Sequence, residues 1–563
     1  FQLHYVPTTR GKQVLADLAT VAKIAEKVYL APDPDREGEA IAWHLAQALA
    51  LQDPQRVTFT EITEKAVKAA LENPRPLDIN LVRAQEARRG LDRLVGYTVS
   101  PELTRLLGSP LSAGRVQSPA LNLVAEREQG VRDFKSSTHL GVELTFEAVD
   151  GVTDGWKAQW DSRPWLPEGL EYFQDQDMAG KIATLKNLTV TSYQENESRV
   201  APPAPFTTST LQQAASNRLK FSPKTTMELA QSLYESGSIT YMRTDSPNLS
   251  EEAIAAIRSL AVEKGWPLPS QPRTWKSKEG AQEAHEAIRP THFEVEDTGR
   301  SEAEKKLYRL IRLQALASQL AEAVYAVATT SLEGEIDQKT VTFTAKGRRL
   351  IQPGWRVLFG STDDDEEDEP SNPLPKLREG AQAVPVNGQV LVKKTKAPAR
   401  WNEAGLIREL EKRGLGRPST YAAILDNITS RGYVKVEQSR LVPTPLGEKI
   451  IKLLAGRFSF LDYEFTRQME ARLDEIAAGH GDYLAVLRET YDTLGREMEE
   501  FRRIHSHPCP KCGKPLRRFI RKDSDKSLKG YDFWSCSGYP ECKASYPNQD
   551  DRPYFGPPIK AAA

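Results

Sequence analysis

The chain contains few cysteines and lacks the long apolar run that a membrane-spanning helix requires. Four cysteines occur in 563 residues, and all lie between positions 509 and 542. This number is too small for the framework of a disulfide-rich secreted protein, and the clustering indicates a metal site in a reducing compartment. No apolar run reaches about 18 residues, so no transmembrane span is predicted. No signal peptide is visible either, and we therefore expect a cytoplasmic protein.

A strong net charge is also missing. Lysine and arginine total 76 against 77 aspartates and glutamates, which gives a net charge of −1 at pH 7. This balance gives no indication of a nucleic-acid partner, although local basic patches could still bind one. The acidic run "DDDEEDE" at 363–369 is predicted to be a solvated loop insertion. The length predicts about three to five domains.

The first part of the chain has the rhythm of an α/β unit. A helical pattern ("QVLADLATVAKIAEK") leads into a short strand ("VYLA"), a loop rich in carboxylates and a second helix ("EAIAWHLAQALAL"). Residues 81–134 then predict arginine-rich helices, interrupted by "GSPLSAGRVQSP".

Two segments of alternating polarity, 138–200 and 326–395, predict strands on either side of a helical block at 208–325. Residues 401–500 are again helical in pattern. This nesting predicts a chain that runs out along an arm, builds a distal domain and returns.

Three carboxylates follow the predicted strand in "YLAPDPDREGEAIAWHL", at Asp33, Asp35 and Glu37. Alternate residues of an extended segment point to the same side, so the three side chains could converge. Such oxygen ligands suit Mg²⁺, which keeps waters and bridges to phosphate. The alternative is a solvated acidic loop paired with Arg36 and nearby lysines. The strand before the loop and the helix that follows it, led by Gly38, weaken the case for that alternative.

A second candidate segment, "GSITYMRTDSPNLS", carries Tyr241 two residues before Arg243. Tyrosine is a poor nucleophile at neutral pH because its pKa is about 10. A neighbouring cation can stabilise both the phenolate and a phosphate that it attacks. Most of the 18 tyrosines must be packing residues, so the spacing alone leaves a structural role open.

The longer strings resemble one enzyme family. "DPDREGEAIAWH" resembles the Toprim signature of type IA and type II topoisomerases and bacterial primases, and its "REGEAIAWH" extension looks like the type IA topoisomerases. "ITYMRTDS" resembles their active-site segment, with the methionine typical of the bacterial topoisomerase I branch. Further similar blocks follow in the family's order: "QEARRGLDRLVGY", "LSAGRVQSPAL", "APFTTSTLQQAAS", "AQEAHEAIRP" and "EKRGLGRPSTYAAIL". A Toprim primase would not explain the tyrosine segment.

The resemblance implies a mechanism. Tyr241 would attack one DNA strand and form a 5′-phosphotyrosyl link, with Arg243 as its electrostatic partner. Glu37 and His285 would be further catalytic residues, and Mg²⁺ on the three carboxylates would aid religation. Another strand passes through the break before it is resealed, which relaxes negative supercoils without ATP. The sequence contains no GxxxxGK[ST] phosphate-binding loop, which agrees with this.

The resemblance also implies a DNA groove. Arg88, Arg89, Asp92 and Arg93 lie at helical spacings that put several of them on one face. From the pattern alone, a solvated helix with internal ion pairs is the alternative. The family's matching segment binds single-stranded DNA, and Ser112, Arg115 and Gln117 could alternate toward the same groove. The expected partners are single-stranded and negatively supercoiled DNA, bound by a monomer at the nucleoid.

The four cysteines have the spacing of a zinc site. Cys509, Cys512, Cys536 and Cys542 form C-x2-C-x23-C-x5-C, and four thiolates suit a structural tetrahedral Zn²⁺. Basic and aromatic residues are interleaved around them, which suits single-stranded DNA. The segment resembles one of the zinc ribbons that follow the core of bacterial topoisomerase I, and one copy is present here.

The predicted fold is multidomain, of mixed α/β and α+β class, in which a Toprim domain, helical domains and a β-rich arch form a toroidal core. The expected boundaries are as follows: Toprim domain 1–80, helical DNA-binding domain 81–135 and 399–500, arch 136–200 and 326–398, tyrosine-bearing helical domain 201–325, and zinc ribbon 505–550.

One departure from the family pattern concerns the beginning of the chain. The family's Toprim domain opens with a strand that carries a catalytic Glu, followed closely by a Lys, and neither precedes "HYVPTTRGKQVL". We therefore expect an N-terminally truncated chain. The alternative function is that of a catalytically impaired fragment that binds single-stranded DNA.

Overall fold

The computed structural model describes residues 3–107, 110–147, 155–276, 286–359, 372–521, 531–549 and 552–556. The acidic run at 363–369 and the candidate His285 lie outside these ranges. Among the helices that are described, none has the length and apolar character needed to cross a bilayer.

The N-terminal part is an α/β unit, as the sequence predicts. Its elements are α1 (Thr9–Ala22), β1 (Tyr29–Leu30), α2 (Arg36–Ala48), β2 (Gln55–Arg56) and α3 (Glu64–Glu72). Strands β1 and β2 are parallel. Helix α2 begins directly after the carboxylate loop, where the side chain of Asp35 accepts a hydrogen bond from the Gly38 amide at 2.8 Å. A Cβ at Gly38 would lie 2.0 Å from the Asp33 carbonyl oxygen, so this turn requires glycine.

The arginine-rich segment forms two helices, α4 (Ile79–Leu107) and α5 (Gln117–Asp133). They share a core with the later helices, where Leu103, Leu121, Leu410, Phe460 and Phe501 are almost fully buried.

The seven-stranded sheet combines the two alternating segments. The first segment supplies β3 (Thr138–Phe146), β4 (Lys157–Trp160), α6 (Gln176–Ala183) and β5 (Leu188–Val200). The second segment adds β6 (Ala323–Ile336), β7 (Lys339–Gln352), β8 (Gln382–Ala383) and β9 (Pro385–Lys394). The strand order is β8-β5-β6-β7-β4-β3-β9, and every pairing is antiparallel. Helix α6 packs on β3 and β9. The sequence patterns did not predict α6.

Between the two parts of the sheet lies the helical block, with α7 (Thr208–Ala214), α8 (Pro223–Glu235), α9 (Glu251–Lys264) and α10 (Glu302–Ser318). The chain then returns through β6, β7, β8 and β9. The predicted alternation of strand and helix segments is confirmed here.

The next segment is helical, as predicted, but contains an additional hairpin. The helices are α11 (Glu403–Lys412), α12 (Tyr421–Ser430), α13 (Pro445–Leu454), α14 (Tyr463–Ala477) and α15 (Tyr483–Ile504). The hairpin pairs β10 (Val434–Glu437) with β11 (Arg440–Pro443). Its turn residues Gln438 and Ser439 both adopt positive φ, without the glycine that usually signals such a turn.

The C-terminal part is a small antiparallel sheet of β12 (Leu516–Arg521), β13 (Tyr531–Cys536), β14 (Ser545–Gln549) and β15 (Arg552–Pro553). Trp534 is fully buried at its centre, beside Leu516 and Ala544. Arg518 donates from Nη1 to the Leu106 carbonyl oxygen at 3.1 Å, which joins this sheet to the end of α4.

Candidate active site

The segment that carries Tyr241 lies between α8 and α9 and is held from several sides. The Tyr241 amide donates to the Thr60 carbonyl oxygen at 2.7 Å, across the boundary to the N-terminal α/β unit. The Thr240 amide donates to the Arg289 carbonyl oxygen at 2.9 Å. Thr208 of α7 donates from its hydroxyl to the Met242 carbonyl oxygen at 2.6 Å. The backbone beside the phenol is therefore fixed by contacts with three separate parts of the chain.

The Tyr241 side chain is 3% exposed and meets a carboxylate. Its hydroxyl donates to Asp35 Oδ2 at 2.6 Å. Arg243 Nη1 donates to the same oxygen at 3.2 Å. Burial and the negative charge of Asp35 raise the pKa of Tyr241 well above its ordinary value. The phenol is thus held neutral, with a carboxylate placed to accept its proton.

The three predicted metal-binding carboxylates do not lie on one extended segment. The helix begins at Arg36, so Glu37 points from its first turn and lies 3.9 Å from Arg88 Nη1. The extended backbone on which this convergence depended therefore ends at Asp35, and the role of Glu37 as a metal ligand stays a prediction. Within the described ranges, the cysteines form the one group of three or more potential ligands at metal-binding spacing.

Asp33 and Asp35 remain suited to a magnesium ion. Burial, followed by the charge of Asp35, raises the pKa of Asp33, so a cation bound beside this carboxylate would stabilise its charged form. Mg²⁺ usually takes one or two carboxylates and completes its shell with waters and substrate phosphate. Two carboxylates beside the tyrosine fit that chemistry without Glu37.

A buried arginine that no sequence motif marks supports this loop. Arg56 is fully buried at the end of β2. Its guanidinium donates to the carbonyl oxygens of Pro32 at 2.8 Å and Asp33 at 2.7 Å. Glu39 accepts from its Nε at 2.9 Å. The contacts fix the backbone on which Asp33 stands, and no motif in the sequence pointed to them.

A groove of about 800 Å³ runs along α4 beside Glu37. Of the predicted DNA-binding residues, five line it: Arg88, Arg89, Asp92, Arg93 and Ser112. Tyr97, which was not predicted, also lines it and is 74% exposed. Basic groups beside an exposed ring suit a single strand, because the cations contact phosphates and bases stack on the ring.

Arg115 and Gln117 are not among the residues that line this groove. Arg115 is 1% exposed, and its guanidinium donates to Glu470 at 2.6 Å and to Asp92 at 3.2 Å. It therefore joins α14 to the groove helix instead of lining the groove. Gln117 begins α5 and donates from Nε2 to the Ser112 hydroxyl at 3.1 Å.

The four cysteines meet in the C-terminal sheet. Their sulfur atoms all lie within 4.8 Å of one another. Cys509 and Cys542 are 3.8 Å apart, and Cys512 and Cys536 are 3.3 Å apart, from sulfur to sulfur. A tetrahedral zinc site with Zn–S bonds of about 2.3 Å places its sulfurs roughly 3.8 Å apart. The predicted set could therefore hold a metal ion, and zinc fits its chemistry.

Two family matches define the class of enzyme. The profile of the Toprim domain family matches residues 6–62, and that of the DNA topoisomerase family matches residues 76–488. A Toprim domain followed by this core defines a type IA DNA topoisomerase, an isomerase that acts on DNA. The chain belongs to the bacterial DNA topoisomerase family.

Individual relatives support the same family assignment. The chain is 48% identical over 572 residues to the plasmid DNA topoisomerase I of Xylella fastidiosa, and the alignment covers 100% of this chain and 85% of that protein. It is 40% identical over 562 residues to DNA topoisomerase 1 of Pseudomonas aeruginosa, with 95% of this chain and 63% of that protein covered.

A solved structure shares the fold. Full-length topoisomerase I from Thermotoga maritima matches with a TM-score of 0.77 and 32% identity, covering 98% of this chain and 90% of that one. The predicted family and fold class are confirmed. Toprim domains generally bind Mg²⁺, and because this domain is present, the alternative of an impaired binding fragment is not favoured.

Proposed function

We propose that Tyr241 is the nucleophile with which this topoisomerase cleaves one DNA strand. Its phenolic oxygen forms a bond to phosphorus, the bond from phosphorus to the 3′-oxygen breaks, and the 5′ end of the break stays on the tyrosine. The phenolic proton passes to Asp35, and the 3′-oxygen takes a proton from water and leaves as a hydroxyl. Religation reverses these steps. No ATP is needed, because the phosphotyrosyl link conserves the bond energy. The hydrogen bond of 2.6 Å between Tyr241 and Asp35 supports this assignment.

The remaining roles follow from position and charge. Arg243 would hold the scissile phosphate, since its guanidinium lies beside the phenol. Asp33 and Asp35 would hold Mg²⁺, with Glu37 at the edge of the site. When bound, the ion neutralises phosphate charge. His285 stays a predicted contact to the phosphate, outside the described residues.

The groove supplies the DNA specificity. Arg88, Arg89 and Arg93 would contact phosphates, and Tyr97 would stack on a base. A groove lined by cations and an exposed ring suits a single strand, and negative supercoiling favours the melting that exposes single strands. We therefore propose that negatively supercoiled DNA is the substrate, bound by a monomer at the nucleoid.

The polarity of a trapped break tests this function. The chain should be incubated with single-stranded oligonucleotide labelled at either end and then denatured rapidly. We expect the 3′-labelled fragment to stay with the protein and the 5′-labelled fragment to be released. A parallel assay should show that relaxation of a negatively supercoiled plasmid requires Mg²⁺ but not ATP. A protein-bound 5′ label would contradict the assignment, because it would mean a link to the 3′ end of the break.

We further propose that the C-terminal sheet is a zinc ribbon that requires its metal to fold. Its buried core consists of few side chains around Trp534, and so small a core needs additional stabilisation. We expect one equivalent of zinc per chain, measured by atomic absorption. A chelator should make the segment after α15 sensitive to protease while the rest of the chain stays resistant. Cys512→Ser should reproduce this effect, and a metal-free chain with a protected ribbon would refute the proposal.

A further inference from the structure

Beside the tyrosine site lies a second, smaller cavity in which two arginines share one carboxylate. Arg36 is the first residue of α2, and Arg417 lies in the loop before α12. Both guanidiniums donate to Asp474 of α14: Arg417 Nη2 reaches Oδ2 at 2.6 Å, and Arg36 Nη2 bonds to Oδ1. Asp35 and Arg243 line the same cavity, so these pairs lie next to the proposed scissile phosphate.

Two guanidiniums from distant parts of the chain that converge on one anion form a site suited to phosphate. Arginine presents a planar fork of donors that matches carboxylate and phosphate oxygens alike. The side chains of Arg36, Arg417 and Asp474 are 16%, 26% and 29% exposed, so solvent and a ligand can reach all three. By contrast, Glu470 lies one helical turn earlier on α14, is fully buried and pairs with Arg115. Glu470 and Asp474 therefore differ in their access to solvent, although Arg417 Nη1 also lies 4.0 Å from Glu470 Oε2.

We propose that Asp474 occupies the place of a DNA phosphate and is displaced when DNA binds. A phosphodiester of the single strand would then lie between Arg36 and Arg417, next to the phosphate held by Arg243. This inference rests on the proposed function in one respect: the ligand of the two arginines is the backbone of single-stranded DNA. The carboxylate keeps both arginines in place and paired while no DNA is bound, and every binding event exchanges it for phosphate.

Removing the charge of Asp474 should strengthen DNA binding. Asp474→Asn keeps the size and one acceptor oxygen but no longer competes with phosphate. We expect the dissociation constant for a single-stranded oligonucleotide to fall about fivefold, measured by fluorescence anisotropy. The slope of the logarithm of the association constant against the logarithm of the salt concentration should also steepen by about 0.7. In the unchanged protein the displaced carboxylate takes up a cation when DNA binds, and the variant has no such carboxylate.

Matched variants separate this effect from a change in overall charge. Glu489→Gln removes the same charge from an exposed pair with Arg472, at 2.8 Å between α14 and α15, and should change neither quantity. Arg36→Gln and Arg417→Gln should each weaken binding, and in the double arginine variant Asp474→Asn should have no further effect. These arginine variants also test the proposal if Asp474→Asn proves unstable.

Two results would overturn the proposal: unchanged or weaker binding by a folded Asp474→Asn variant, or unchanged binding after loss of both arginines. Either would mean that the ion pairs only hold the fold together. The adduct assay is independent of this outcome, since it depends on Tyr241. Tighter binding by Asp474→Asn without any adduct would support the displacement of Asp474 by phosphate and refute Tyr241 as the nucleophile. An adduct without tighter binding would support Tyr241 as the nucleophile and refute the displacement of Asp474.

Discussion

Tyr241→Phe is expected to abolish the covalent adduct and to lower plasmid relaxation by at least about 10⁴-fold, because it removes the attacking oxygen. The ring and its packing stay in place, so the affinity for single-stranded DNA should change little. The measurement pairs the denatured adduct assay with anisotropy on the same oligonucleotide.

Tyr234→Phe is the matched control for this prediction. Tyr234 is also buried, and its ring packs edge-on against that of Tyr241 with 5.2 Å between the centroids. Its hydroxyl makes a longer hydrogen bond, of 3.4 Å to the Phe59 carbonyl oxygen. This variant should retain the adduct. Adduct formation by Tyr241→Phe would show that another residue is the nucleophile.

The second large effect concerns stability. Glu470→Gln should destabilise the chain by about 3–5 kcal/mol, because it leaves the buried Arg115 guanidinium without its main counter-charge. Arg115 and Glu470 are both almost completely buried, and their closest atoms are 2.6 Å apart. The loss should appear as a lower urea midpoint for the transition that includes α4 and α14. Glu464→Gln, on the same helix but in an exposed pair with Arg467, should have little effect.

The same pair predicts a loss of stability in acid. Burial alone would raise the pKa of Glu470, but the charges of Arg115, Arg88 and Arg417 outweigh it and lower the pKa to about 2. A carboxyl group with a depressed pKa stabilises the fold fully above its ordinary value of 4.5. This contribution declines as the pH falls from there toward about 2. The Gln variant should lack this part of the acid dependence, and an identical acid profile in both proteins would contradict the assignment.

The sequence predicted those parts of the site that depend on local strings. The quoted segments led to Asp35, Tyr241 and Arg243, which meet in the structure, and to four of the residues on the groove face of α4. Local geometry was less predictable. Alternate residues point to the same side only while the backbone is extended. Asp35 caps a helix, so the extended backbone ends before Glu37 and the alternation does not apply to it.

Hydrogen-bond partners that are distant in the sequence could not be predicted. Arg115 was assigned to the groove, but a partner 355 positions away in the chain draws it into the interior. Arg56 was missed for a similar reason, because its role comes from carbonyl oxygens that it meets only after folding. Tyr97 is the last residue of the quoted "QEARRGLDRLVGY" block, but no DNA contact was assigned to it. The domain boundaries and the role of His285 stay predictions.

The sheet also constrains the order in which the chain can fold. Val200 at the end of β5 pairs with Ala323 at the start of β6, so the whole tyrosine-bearing block is synthesised between two neighbouring strands. Until β6 emerges from the ribosome, β5 lacks its longest partner and presents an open edge. Pairings between such distant segments form slowly, because the intervening chain must first be ordered. During translation the helical block can therefore take shape before the sheet closes, and in that interval the open edge of β5 can mispair with another nascent chain.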